Sequence, residues 1–243
     1  MITTRRVLDA LDAVHDPELD EPITGLRFVT SCQVTPDGDV EILLRLPTPQ
    51  CAPNFAYLMA ADARNAVRRL PEVRQVTVRL EGHYTGEEIN AAVARGEGFT
   101  GAFPGETDDD QLEALRELFE RKALVARQGR LCEALLAAGA TSEQVADLCV
   151  ADLPDVPDAQ RCLELRARLG IACEGDSPAF VLPSGEPLDA SELSRWLRMA
   201  RLVRTSLDVN GEICRSLLKI RHQLGPVGEV RDQLDSEREE VSR

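Results

Sequence analysis

Residues 40–46 carry the pattern that most limits what this chain can fold into. Val40, Ile42, Leu44 and Leu46 alternate with Glu41, Leu43 and Arg45, and a period of two sends neighbouring side chains to opposite faces of a strand. Thr35-Pro36-Asp37-Gly38 lies just upstream with the composition of a turn, preceded by the aliphatic and β-branched stretch 26–34. Residues 26–46 therefore read as a β-hairpin. One face of that hairpin is apolar and has to be covered. Two helical segments supply the cover. Over residues 4–14, Val7, Leu8, Leu11 and Val14 recur at spacings of three and four before Asp16-Pro17-Glu18 ends the run. Residues 54–70 form the second, with Pro53 suited to a first helical turn. A third strand is expected over 73–80, entered from Pro71. The order helix, strand, strand, helix, strand predicts an α+β layer, αββαβ, in which Val40, Ile42, Leu44, Val76 and Val78 face both helices.

After a short helix at 87–95, residues 96–110 are rich in glycine, proline and acid and read as a linker. The remainder is helical in pattern. Leu112, Leu115, Leu118 and Phe119 mark one helix; Leu131, Leu135 and Leu136 mark another. Thr141 and Gln144 have capping-box spacing. A helix is expected over 159–169, a brief strand and turn over 179–186, and two helices over 193–203 and onward to about 224. The expected organisation is an α+β domain at 1–95, a linker at 96–110, a mainly α-helical domain at 111–224 and a disordered tail at 225–243.

Charge narrows the partners. The 243 residues carry a net −14, unevenly spread: 9 basic and 14 acidic side chains in 1–94, 9 and 20 in 95–194, 10 and 8 in 195–243. A chain this acidic repels nucleic-acid phosphate unless its positive charge is gathered locally. No apolar run approaches the ~20 residues of a membrane helix. Thr3, Thr4, Arg5, Arg6 and Asp9 interrupt any secretory apolar region after Met1. Seven cysteines, at 32, 51, 132, 149, 162, 173 and 214, include no CxxC pair. The expectation is a cytoplasmic protein with reduced thiols, bound to neither nucleic acid nor membrane.

Cys51 has the most telling position. It lies in the proline-rich stretch Pro47-Thr48-Pro49-Gln50-Cys51-Ala52-Pro53, immediately before a helix whose dipole and free N–H groups favour a thiolate. A thiolate is a soft metal ligand. A lone cysteine is more commonly a small buried hydrophobe, and that reading holds for Cys32, Cys132, Cys149, Cys162 and Cys214; Cys173 is the second candidate. Asp16 and Glu18 read either as a helix-stopping turn or as assistants to the Cys51 loop.

Val7-Leu8, Leu11, Val14, Asp16-Pro17-Glu18, Ile23, Leu26, Thr48-Pro49, Cys51 and Leu70-Pro71 with Val73, Val76 and Val78 together resemble the PaaD/SufT-like family of metal–sulfur (iron–sulfur) cluster assembly proteins. The resemblance covers residues 5–81. It implies the αββαβ fold, a role in maturing iron–sulfur or related metal proteins, Cys51 as the reactive cysteine and Asp16 within an acidic motif. Thr48 is similar to a family threonine, displaced by one position. Gly25, Arg27, Pro47 and Ala52 depart from the family pattern, which suggests specialisation toward one client. Residues 51–59, 196–204 and 209–214 are similar to longer actinobacterial members, which tend to be encoded near di-iron monooxygenases of the propane monooxygenase kind.

The expected function is that of a non-enzymatic accessory factor in iron–sulfur cluster or iron-centre maturation. Cys51 would be the transient ligand of iron or a cluster, with Asp16, Glu18 and Thr48 around it. The expected partner is a client metalloprotein such as a di-iron monooxygenase, or a second copy of the chain. The helical domain is expected to be a docking module, with some of Arg195, Arg198, Arg201 and Arg204 pairing with the acidic middle segment. Two alternatives stand beside this: an enzyme with Cys51 as nucleophile and His15 as candidate base, and an adaptor holding no metal.

Overall fold

Three short strands set the geometry of the first unit in a computed structural model that describes residues 2–105 and 109–222. The expected tail at 225–243 lies outside the described residues. Strand β1 (Val29–Val34) pairs antiparallel with β2 (Asp39–Arg45), and β2 pairs parallel with β3 (Gln75–Glu81). Val40, Ile42 and Leu44 stand opposite Val76, Val78 and Leu80, so the period-two pattern places all six on one face. That face is covered by α1 (Thr4–Leu11) and by α2 (Pro53–Arg68), the crossover that a parallel pair requires. α1 buries Val7 and Leu11; α2 buries Ala56 through Ala60, Ala63 and Val67. The architecture is α+β, followed by a mainly helical region.

The third strand begins two residues later than the alternation suggests, because Leu70–Val73 forms turns, with the Val73 N–H donating to the Leu70 carbonyl. Likewise the first strand begins at Val29 rather than at residue 26. Residues 22–28 form a turn instead, in which Leu26 and Arg27 donate to the carbonyls of Pro22 and Thr24. Leu26 is nonetheless fully buried.

The segment expected as a linker is partly core. After α3 (Gly86–Arg95), a single turn, α4 (Phe99–Ala102), buries Phe99, Ala102 and Phe103 in the first core. The Tyr57 hydroxyl donates to the Glu97 carbonyl at 2.7 Å, and the Tyr57 and Phe99 rings meet edge to face. Phenylalanines at 99 and 103 outweigh the glycine and proline around them, since aromatic burial stabilises more than loop composition costs.

Two expected helices at 112–136 are one, α5 (Asp109–Ala137). Its apolar spacing lapses at Arg127-Gln128-Gly129-Arg130 because these residues meet partners rather than solvent. Gln128 is buried and exchanges hydrogen bonds with both backbone groups of Val181. α6 (Ser142–Ala146) starts at the Thr141–Gln144 capping box but lasts only five residues. α7 (Pro157–Arg168) follows, and the expected strand at 179–182 is reduced to isolated bridges. The two expected last helices are also one, α8 (Leu193–His222). Near its start it buries Trp196, Leu197 and Ala200 in the second core, where Arg204 bonds Glu133 at 2.6 Å and Arg201 pairs with the same carboxylate. Near its end Leu218 is buried in the first core. Met199, Leu202, Val209, Ile213, Leu217 and Ile220 are exposed. Among the described residues no helix is long and apolar enough to cross a membrane.

Candidate functional site

Cys51 stands one residue before the cap of α2. Ala52 caps without a side-chain bond and Pro53 opens the helix, so the chain enters α2 stiffly. Gln50, Ala52 and Pro53 are exposed, Pro47 is buried, and Cys51 is half-buried. Within the loop the Gln50 N–H donates to Thr48 Oγ1 at 3.3 Å, and Thr48 Oγ1 lies 3.5 Å from Cys51 Sγ. The structure therefore brings Thr48 and Cys51 together.

The loop is held from outside by the turn after β3. The Tyr84 N–H donates to the Pro49 carbonyl at 3.0 Å. His83 Nε2 lies 2.7 Å from the Cys51 carbonyl, and the Thr85 N–H points at His83 Nδ1 at 3.2 Å. A backbone N–H only donates, so Nδ1 accepts and Nε2 carries the proton that goes to Cys51. His83 is thus a positioning residue that sequence reasoning missed. It is 32 residues away in sequence, and its position follows from the parallel pairing of β3 with β2. Tyr84 beside it is a large exposed aromatic.

Asp16 and Glu18 fold into one turn. Asp16 Oδ1 accepts from the N–H groups of Glu18 at 2.9 Å and Leu19 at 3.0 Å. Asp-Pro-Glu is therefore a helix-stopping turn in its geometry. The Asp16 carboxyl is 8% exposed, and burial, partly offset by those two N–H bonds, raises its pKa to about 6. His15 is pushed the other way, to about 4, by burial and then by Arg161. Both line a cavity of about 390 Å³ with Arg69, Arg116, Arg161 and Arg168; Cys51 is not among its lining residues. The imidazole bonded to the Cys51 loop is that of His83, while His15 faces Arg161.

Cys214, expected as helical core, is half-buried on α8 and packs against the first core. It lies on the face of α8 that carries Gly211, Arg215 and Leu218. Arg215 bonds Glu21 at 2.5 Å, and a side chain at Gly211 would meet Glu21 Oε1 at 2.6 Å. Cys214 and Cys51 both pack, half-buried, against the first core. Burial, followed by the nearby charges of Asp16, Cys51 and Glu18, raises the Cys214 thiol to about 11. Cys173, expected as the second candidate, sits with its sulfur 3.2 Å from the Ile171 carbonyl in the helical region. Cys132 and Cys162 are buried in the second core, and burial pushes the Cys162 thiol up to about 12. Among the described residues no three His, Cys, Asp or Glu side chains are already gathered as a metal-holding group.

Comparison with known proteins finds a family and two relatives. Residues 4–79 match the family model described as iron–sulfur cluster assembly protein. An uncharacterized protein of Methanocaldococcus jannaschii is 34% identical over 90 residues, which is 37% of this chain and 93% of that protein. An iron–sulfur cluster carrier protein of Synechocystis is 34% identical over 80 residues, 33% of this chain but only 22% of the carrier. The family match falls on the first unit.

Proposed function

Since this chain belongs to the iron–sulfur cluster assembly protein family, we propose that it is a non-catalytic accessory factor that holds iron or an iron–sulfur cluster transiently through Cys51 and delivers it to a client metalloprotein. The observation that carries this reading is the Cys51 loop: a half-buried thiol beside the Thr48 hydroxyl, on a backbone fixed by His83 and Tyr84. A soft ligand on a fixed backbone, next to exposed Gln50, Ala52 and Pro53, suits a cargo that must be both bound and released. Asp16 and Glu18 contribute negative charge that favours a cation nearby. The cargo is handed to a client rather than kept. A di-iron monooxygenase is the client class we propose, with a second copy of this chain as the alternative partner.

A nucleophilic enzyme finds less support. Both ring nitrogens of His83 are committed to hydrogen bonds, and His15, held near 4, is a weak base at neutral pH. The test is anaerobic reconstitution with ferrous iron and sulfide, reading iron, sulfide and the visible sulfur-to-iron band. Cys51→Ala is expected to lose bound iron and the band while keeping its helical circular dichroism. Equal iron in both proteins would remove Cys51 from the role.

A further inference from the structure

We propose that the outer face of α8 is a self-association surface, on which a second copy of this chain pairs antiparallel, helix against helix, about a two-fold axis at the level of Gly211. The inference is independent of the Cys51 reading and names what covers a face that reading leaves open.

α8 carries two rows of residues, each with alternating spacings of four and three. Ala200, Arg204, Leu207, Gly211, Cys214 and Leu218 form the inner row, buried or half-buried against the rest of the chain. Leu202, Ser206, Val209, Ile213, Ser216 and Ile220 form the outer row, and all six are exposed. The outer row is displaced by two residues, about 200° round a helix of 3.6 residues per turn, so it stands on the opposite side. Leu202 is 74% exposed, Ile220 76%, and Val209 and Ile213 51% each. A single exposed aliphatic side chain needs no explanation. A row of them about 27 Å long, at the spacing of a coiled-coil seam, is what a facing helix covers.

The seam reads the same from either end. Val209 and Ile213 lie two residues to either side of 211, Ser206 and Ser216 five, and Leu202 and Ile220 nine. An antiparallel copy therefore sets Leu202 of each chain against Ile220 of the other, and Val209 against Ile213, with serine facing serine between them. Such self-complementarity is what a two-fold interface requires.

Charge selects the same direction. Arg201 and Arg204 are bonded to Glu133, whereas Arg195 and Arg198 are exposed and enter no ion pair among the described residues. Beyond α8 the sequence 223–243 carries six acidic and three basic residues. Antiparallel pairing places Arg198 of one copy where the other chain runs on from α8 into that acidic stretch. Parallel pairing would set arginine beside arginine. Glu212 approaches its own copy at the axis, where each is bonded to Arg215 of its own chain at 3.2 Å.

Sedimentation equilibrium of the full chain tests this, with Val209→Glu/Ile213→Glu at the centre of the seam and Leu118→Glu, exposed on α5, as the control. Parent and control are expected at twice the chain mass. The seam variant is expected at the chain mass with unchanged circular dichroism, since Val209 and Ile213 belong to neither core. Bismaleimidoethane reads the direction. Residues 206 and 216 are about 15 Å apart along one helix, so Ser206→Cys/Ser216→Cys is expected to give a 206-to-216 link between chains, and Ser206→Cys alone no 206-to-206 link. A parent at the chain mass, or a seam variant that stays dimeric, overturns the proposal. A 206-to-206 link overturns it too, because the pairing would then be parallel. With a monomeric parent, removal of residues 223–243 identifies the true occupant: a dimer on removal assigns the face to the chain's own end, and a monomer leaves it to a client.

Discussion

His15 and Asp16 are adjacent, and burial moves them in opposite directions with opposite consequences for stability. His15 falls from its usual 6.5 to about 4. Between those values the unfolded chain binds more protons than the folded one, so stability rises with pH across that window. Asp16 rises from its usual 3.8 to about 6. There the folded state holds the extra proton, so stability falls as pH rises through nearly the same window. Each effect is worth about 3 kcal/mol, and together they leave the parent nearly flat. Asp16→Asn keeps an oxygen for the Glu18 and Leu19 N–H groups and removes only the charge. It is expected to be more stable than the parent at pH 7 by up to about 3 kcal/mol and indistinguishable at pH 4. Urea unfolding midpoints at the two pH values check this; an equal difference at both would show that the buried charge is not the cause. Asp-Pro-Glu was legible as a turn, but not as a buried charge, because burial is conferred by chain segments distant in sequence.

At the scale of elements, α5 shows how a sequence rule is overruled by packing. Gly129 sits in the middle of a 29-residue helix, where glycine costs about 1 kcal/mol relative to alanine. The cost is offset by the close crossing of α8: a Cβ at 129 would stand 2.8 Å from the Ala200 Cβ. Gly129→Ala is therefore expected to destabilise by about 1–2 kcal/mol despite its better helix propensity. Adding Ala200→Gly should recover much of the loss, a coupling that thermal or urea unfolding of the four proteins would expose. If Gly129→Ala is stabilising, the two helices are not in close contact there. The same crossing explains why one long helix reads as two in the sequence. Periodicity counts apolar residues on a single face, and between 127 and 130 that face carries a buried amide and a glycine in place of leucines.

The whole molecule is joined by a buried acid and a long helix. Asp20 lies in a left-handed turn at φ 51°, a conformation that aspartate tolerates. It is 4% exposed. Its carboxylate accepts from Arg161 at 2.7 and 3.0 Å and from Arg127 at 2.8 Å, and its carbonyl accepts from Arg127 at 2.7 Å. Burial alone would raise its pKa; Arg161 and Arg127 outweigh burial and hold it below the usual carboxylate range. A depressed carboxylate stabilises above its unfolded pKa and loses that contribution as pH falls below about 4. Asp20→Ala removes the buried carboxylate shared by the two guanidiniums, leaving Arg127 only Asp158 and Arg161 only Glu164 as carboxylate partners. It is expected to cost about 3–5 kcal/mol at neutral pH, with the difference shrinking in acid, as urea unfolding at pH 7 and pH 3 would measure. A loss that does not change with pH would point to packing rather than charge. α8 supplies the second connection. At 1.5 Å per residue its 30 residues span about 45 Å, enough to bury Trp196 in one core and Leu218 in the other.

The sequence by itself determined the α+β order of the first unit, the strand faces built by Val40, Ile42, Leu44, Val76 and Val78, the capping box at Thr141, and Cys51 as the residue ahead of α2. These are carried by periods of two and 3.6, by proline and by capping spacing, all of which act over a few neighbouring residues. Tertiary structure alone decided that Phe99 and Phe103 are core rather than linker, that Asp20 is a joint, and that His83 holds the Cys51 loop. Each of these depends on a contact between residues tens of positions apart or more. A contact of that kind is set by which buried faces find room against one another, a property of the assembled chain that no local pattern encodes.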